Sequence, residues 1–309
     1  MDGILIIDKP VGPTSHDIVS SVRKILKEKK VGHTGTLDPA ATGVLPLVLG
    51  KATKLARYLT GGDKRYLATF KLGQTTDTLD AEGTVTSEKP VNVTEAQVRE
   101  AVAKFVGAIE QTPPMYSAKK IEGQRLYELA RQGVTIEREA KRVTIHSCDV
   151  LDVKLPEVTV DVLCSAGTYV RVLAADIGEL LGCGAHLTML RRTAAGAFKI
   201  DDAVSLEALA DDPAMAKTRL LPLSRALSDL PTIALPIGVV KMVTSGYQLC
   251  VADLRALDTP SFAEGATVAL VSDGGDLVAV AEALVASSEL ASSRRDRRAL
   301  KTERVIAAQ

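Results

Sequence analysis

An α+β fold is what this sequence predicts: a mixed, mainly antiparallel sheet flanked by helices, with a small β-rich module at the C-terminal end. Three observations carry the expectation. Residues 65–72 (RYLATFKL) alternate with period two, so Tyr66, Ala68, Phe70 and Leu72 share one strand face, and Val143–Val153 and Val158–Ser165 read as a further strand pair. Stretches of helical periodicity with their own capping signals are interleaved among these strands, which implies long non-local pairings. The proline-bearing stretch around Leu220 to Pro236 reads as a linker, followed by short apolar runs separated by Gly246, Gly265, Gly274 and Gly275. The predicted division is therefore 1–220, a linker at 221–236 and a C-terminal module at 237–309, a total length that accommodates two cores.

In chain order, Gly3–Asp8 is a short buried strand stopped by Lys9-Pro10 and Gly12-Pro13. Thr14 with Asp17 forms a capping signal for a helix with Ile18, Val19, Val22, Ile25 and Leu26 on one face, closed by Lys29-Lys30. Val44–Leu49 is an apolar run ending at Gly50, and Lys51–Tyr58 a short basic helix. Residues 73–83 read as a polar connection between strands. Thr94 with Gln97 opens a second helix with Val98, Val102, Phe105 and Val106 inward and Gly107 past its end. Gln111–Glu139 is a basic excursion, long for a connection, around a short helix at Leu126–Ala130; its Lys119, Lys120, Arg125 and Arg131 group with Tyr116 and Tyr127, which favours a functional flap over a plain insertion. Gly167-Thr168 turns into a helix from Tyr169 to Leu181, ended by Gly182 and Gly184, and His186–Thr193 follows as a short element. Ser205 caps a helix through Leu209; a short helix lies near Val239–Val243, and Asp273-Gly274-Gly275-Asp276 is a hairpin turn.

Composition excludes several classes. Cys148, Cys164, Cys183 and Cys250 form no C-x-x-C pair, as expected of thiols in a reducing compartment, and Cys183 with His186 is too few ligands for a zinc site. The start lacks a basic n-region and no stretch is long enough to span a bilayer, so the expected location is the cytoplasm. The formal net charge is zero, but its distribution is uneven: residues 20–71 are strongly basic, 201–289 acidic and 294–304 basic again. Composition alone weighs a nucleic-acid surface and ordinary solvated faces equally.

The densest chemistry lies at Gly32–Leu45, which packs one carboxylate, one imidazole, three glycines and three threonines into fourteen positions. Glycines and Pro39 make this a shaped loop presenting Asp38, although an Asp before Pro commonly just caps its own turn. Tyr66 follows Lys64-Arg65 at the start of a strand. Tyr169 and Arg171 lie two apart at a strand-to-helix corner, where a guanidinium can keep a carboxylate ionised and a ring can stack a base. Taken singly, each has a plain reading: His33 satisfying carbonyls, the tyrosines as core residues, Arg171 as a surface ion pair.

Together, Gly32-His-Thr-Gly-Thr-Leu-Asp38-Pro, Lys64-Arg-Tyr66, Gly73-Gln-Thr-Thr-Asp77-Thr and Gly167-Thr-Tyr-Val-Arg171 closely resemble the bacterial tRNA pseudouridine-55 synthase (TruB) family, with all blocks in order from Gly3 to about Thr193. The closing Leu300–Ile306 resembles the end of that family's PUA-type RNA-binding domain. The resemblance implies a pseudouridine-synthase-like fold and a catalytic aspartate at Asp38. It implies that His33 helps displace the target uridine, that Tyr66 stacks on the flipped base, that Tyr169 and Arg171 form a second wall and the partner of the aspartate, and that Leu190 lines the pocket. It further implies that 111–139 is a thumb-like insertion closing over the tRNA T-arm, so that the enzyme uses no guide RNA. No cofactor or metal is expected, no membrane partner, and a monomer; the chain has no P-loop or dinucleotide fingerprint. Two other functions remain at this stage: an RNA-binding helper that remodels the tRNA elbow without needing Asp38, and a hydrolase that excises the base. The piece Ser287–Arg298 is expected to interrupt the C-terminal strands.

Overall fold

The computed structural model describes residues 1–117, 120–121, 123–134 and 136–306. Lys119, counted above in the basic excursion, lies outside them, as do the side chains of Lys120, Arg125, Tyr127 and Arg131. The chain runs β1 (Gly3–Lys9), α1 (Ser15–Leu26), β2 (Val31–His33), β3 (Thr42–Leu49), a 3₁₀ turn Gly50–Leu55, α2 (Ala56–Leu59), β4 (Lys64–Leu72), β5 (Gln74–Thr76), β6 (Val85–Glu88), α3 (Glu95–Ala103) and β7 (Gly107–Gln111). A small hairpin β8 (Lys120–Ile121) and β9 (Gln124–Arg125) and α4 (Leu126–Arg131) follow, then β10 (Lys141–Lys154), β11 (Glu157–Cys164), α5 (Val170–Leu180), β12 (Ala185–Ala195), β13 (Phe198–Lys199), β14 (Val204–Ser205), α6 (Leu206–Asp211) and α7 (Met215–Arg219). The C-terminal part holds β15 (Thr232–Leu235), α8 (Ile237–Thr244), α9 (Val251–Arg255), β16 (Thr267–Ser272), β17 (Leu277–Ala283) and β18 (Leu300–Val305).

The main sheet has the order β14-β1-β3-β12-β4-β11-β10-β7, with β13 on β12 and β2 on β3. Only β1–β14 and β3–β12 pair parallel, so the sheet is mixed and mainly antiparallel. Burial explains the two kinds of strand. In β1, Leu5 and Ile7 pack into the helix-covered core while Ile4 and Ile6 pack with Val44 and Val48 on the other face, which accounts for an unbroken apolar run. β4 alternates as the sequence predicts, with Tyr66, Ala68, Phe70 and Leu72 buried. Capping boxes start α1 at Thr14–Asp17 and α3 at Thr94–Gln97.

Several elements depart from expectation. α1 ends at Leu26 because Lys27 takes the left-handed conformation (φ 52), so Lys29-Lys30 lie beyond it. α3 ends at Ala103, and Val106 turns outward, 46% exposed. The 73–83 connection contains β5, paired with β6. His186–Thr193 is part of an eleven-residue central strand, β12. Within 221–236, Leu221 exchanges two backbone hydrogen bonds with Ile4, and Thr232–Leu235 is a strand parallel to β16. Ser287–Arg298 interrupts nothing: it loops between β17 and β18, and the Arg295 and Arg297 carbonyls accept the first amides of α9.

The C-terminal domain is a four-stranded sheet, β15-β16-β17-β18, with its own core around Val243, Leu254, Leu270 and Leu300. Its Ala269, Leu277, Val280 and Ile306 cluster with Leu55 of the 3₁₀ turn, Tyr58 and Leu59 of α2 and Leu227 of the connecting segment, and Glu303 bonds both Arg57 and Tyr58 at 2.7 Å.

Gly43 sits where β3 meets β12 (φ +100), and a Cβ there would stand 2.2 Å from the Arg192 carbonyl. Both the backbone conformation and the pairing exclude a side chain. Gly43→Ala is expected to lower stability by about 2–3 kcal/mol, read from urea unfolding.

Candidate active site

The Asp38 loop is short of regular structure, and three side chains from three elements hold it by its backbone. Ser15, the first residue of α1, accepts from the Leu37 amide (2.8 Å) and donates to the Leu37 carbonyl (3.0 Å). Lys9, at the end of β1 and wholly buried, donates to the carbonyls of Pro10 (2.9 Å), Pro39 (3.0 Å) and Ala41 (2.7 Å). That fills all three ammonium donors. Arg192 on β12, 1% exposed, reaches the carbonyls of Val44 (2.7 Å), Thr36 (3.2 Å) and Gly35 (3.1 Å). Loss of hydration lowers the Lys9 pKa to about 8, the nearby Asp38 opposing it.

The facing half comes from the start of α5. Gln111, 2% exposed at the end of β7, clamps Tyr169 on both sides: its Oε1 accepts from the Tyr169 amide (2.9 Å) and its Nε2 donates to the Tyr169 carbonyl (3.3 Å). This fixes the turn from which Tyr169 and Arg171 emerge. Arg171, 6% exposed, then joins three segments. It pairs with Asp38 at 3.1 Å and Asp80 at 2.9 Å, and donates to the Tyr116 carbonyl at 2.8 Å.

Between the halves lies a cavity of about 420 Å³. It is lined by all six residues singled out in the sequence, His33, Asp38, Tyr66, Tyr169, Arg171 and Leu190, together with Lys64, Ser117 and Arg192 among others. The Asp38 side chain stays 42% accessible, open to the cavity. Its carboxyl is nonetheless pushed above the ordinary range, because the surrounding wall strips hydration; Arg171 pulls back, and Asp80 adds to the rise. Burial and the positive Arg192 push the His33 imidazole down, so it is neutral near pH 7, with a weaker opposing contact from the Gly35 backbone. Burial raises the Tyr66 phenol and keeps it neutral.

Arg192, Lys9 and Asp80 escape the sequence reading. Each had a signal: a charge closing an apolar strand at Lys9, an arginine doublet at Arg191-Arg192, and an acid inside a polar connection. Arg191 pairs with Asp8 at 2.8 Å, so of the doublet only Arg192 lines the cavity. Among the described residues no group of three or more His, Cys, Asp or Glu side chains is arranged to hold a metal ion, and no helix is long and apolar enough to cross a membrane.

Solved structures share this architecture. The chain superposes on one from the "Crystal Structure of a Cbf5-Nop10-Gar1 Complex" with TM-score 0.80 and 30% identity, covering 99% of this chain and 85% of that one. A second, from "Structure of H/ACA RNP bound to a substrate RNA containing 2'-deoxyuridine", gives TM-score 0.78 at 29% identity, covering 99% of this chain and 85% of that one. The profile described as TruB family pseudouridylate synthase (N terminal domain) matches residues 23–170, and that of the tRNA pseudouridylate synthase B C-terminal domain matches 171–229. The class is thus pseudouridylate synthase. Curated relatives narrow it: tRNA pseudouridine synthase B of Syntrophus aciditrophicus is 45% identical over 308 residues, 99% of each chain. The protein of that name from Burkholderia lata is 50% identical over 282 residues, 91% of this chain and 86% of that one. The chain belongs to the TruB family of pseudouridylate synthases.

Arg171→Met leaves Asp80 and Asp38 without their shared cation. The Asp38 carboxyl should then titrate higher still, followed by carbon-13 carboxyl NMR, and stability should drop by about 3 kcal/mol in urea unfolding. An unchanged Asp38 titration would show that the ion pair does not govern it.

Proposed function

We propose that this chain is a stand-alone tRNA pseudouridine synthase that isomerises uridine-55 of the T-arm, with Asp38 as its catalytic carboxylate. One observation carries the reading: the Asp38 carboxylate opens on a cavity between Tyr66 and Tyr169 and is held 3.1 Å from a buried guanidinium. The reaction breaks the N1–C1′ bond, turns the base and forms a C5–C1′ bond; C5 gives up its proton and N1 takes one up, so the product is an isomer. Nothing is oxidised or reduced and no group leaves, so the chemistry calls for no cofactor. A carboxylate serves it as a nucleophile or as the stabiliser of positive charge on the sugar.

A base inside a stacked arm cannot reach Asp38, so the nucleotide must swing out. His33 assists that displacement from the cavity rim. Tyr66 and Tyr169 offer faces for the uracil, and stacking of this kind contributes about 1–3 kcal/mol per base. Leu190 closes the apolar side. The guanidinium of Arg171 keeps Asp38 ionised and aimed.

The insertion at 111–139 closes over the T-arm, and the module beyond the 221–236 segment is a PUA-type domain that binds RNA. The enzyme works as a monomer without guide RNA, in the cytoplasm. Its basic residues between 20 and 71 supply phosphate contacts, which makes binding weaken with salt.

Asp38→Asn should bind T-arm RNA with near wild-type affinity and form no pseudouridine; full turnover by this variant would refute the assignment. The pH dependence follows from the raised carboxyl. Asp38 acts ionised, so the single-turnover rate falls as pH drops through a midpoint above the ordinary carboxyl value of 3.8. An acid limb at or below that value would contradict it.

A further inference from the structure

Among the described residues three buried side-chain polar atoms have no hydrogen-bond partner: His33 Nδ1, Ser117 Oγ and Arg138 Nε. His33 and Ser117 both line the Asp38 cavity. His33 already has a place in the proposed reaction; Ser117 has none. The residue is 4% exposed. Two other hydroxyls on the same walls are satisfied internally, Thr60 by the Arg57 carbonyl (3.0 Å) and Thr168 by the Ser165 carbonyl (2.9 Å). Leaving a buried hydroxyl unpaired destabilises the fold, and such groups are rare enough to require a reason.

Position supplies the reason. Ser117 stands at the root of the 111–139 insertion, its amide bonded to the Met115 carbonyl at 2.9 Å. The preceding residue, Tyr116, accepts from the same Arg171 guanidinium that holds Asp38. One buried cation therefore sets the places of both the carboxylate and the unpaired hydroxyl. A hydroxyl both donates and accepts, and the polar edge of uracil alternates carbonyl, imide N–H and carbonyl.

We infer that Ser117 is a further substrate contact, its hydroxyl pairing with the polar edge of the displaced uracil. This rests on the function proposed above. The contact adds a polar anchor from the insertion to the stacking faces of Tyr66 and Tyr169, and it exists only once the base has entered the cavity.

The test uses the full chain with Ser117→Ala, which removes the hydroxyl, and Ser117→Cys, which nearly keeps its volume but is a weak hydrogen-bonding group. Two T-arm stem-loop RNAs serve as probes, one with uridine at the target and one with an abasic ribose there. Wild-type conversion of the uridine RNA is the control; its absence would count against the proposed function itself. Both variants should convert the uridine RNA at least about tenfold more slowly than wild type. Both should bind the abasic RNA as wild type does and melt at or above the wild-type temperature, since an unsatisfied buried group has gone. Rates within about twofold of wild type would overturn the inference. So would recovery of activity by Cys, which would point to lost volume, or a lowered melting temperature with weakened abasic binding, which would point to a structural serine.

Discussion

The site depends on one buried guanidinium. Arg171 comes from the first turn of α5 and touches three segments that are remote in sequence: the Asp38 loop, the connection carrying Asp80, and the root of the insertion at Tyr116. Burying a charge is unfavourable unless it is paired and hydrogen-bonded, and these partners satisfy it together. The chain can meet that requirement only with the three segments assembled, so the same condition that permits Arg171 inside the protein also builds the cavity wall.

The opposite wall follows a related rule. Leu37 and Ala41 reach the core, but the rest of this glycine-rich loop offers little side-chain surface to packing. Lys9, Ser15 and Arg192 hold it instead, by backbone hydrogen bonds from β1, α1 and β12. β1 lies beside β3 in a deeply buried part of the sheet, where Ile4–Ile7 and Val44–Leu49 are almost wholly excluded from solvent. Rigidity is thereby carried from the core to Asp38 through polar contacts, which suits the role proposed for it.

Much of this was legible in the sequence, and the gaps have physical causes. Asp38, Tyr66 and the Tyr169–Arg171 pair lie in three local patterns, marked by glycines, alternation and a strand-to-helix corner, and all four residues reach the cavity. The signals at Lys9, Asp80 and Arg192 do not name the contacts that matter, because those partners are distant; Arg192 and the Val44 carbonyl are 148 positions apart. Periodicity cannot report a bond to a remote carbonyl. β12 hid for another reason: register shifts between Leu187 and Met189, and between Arg192 and Ala194, break the period-two pattern of a strand. β15 is four residues between Pro231 and Pro236, so its flanks read as linker.

Asp38, caged by Arg171 and opening on a cavity between two tyrosines, is proposed to isomerise uridine without releasing it. The most direct test is to incubate unmodified tRNA with the purified chain, map pseudouridine along the RNA and assay for free uracil. The account predicts pseudouridine at position 55 of the T-arm and no uracil set free. Free uracil with an abasic T-arm, or an untouched uridine-55, would contradict it.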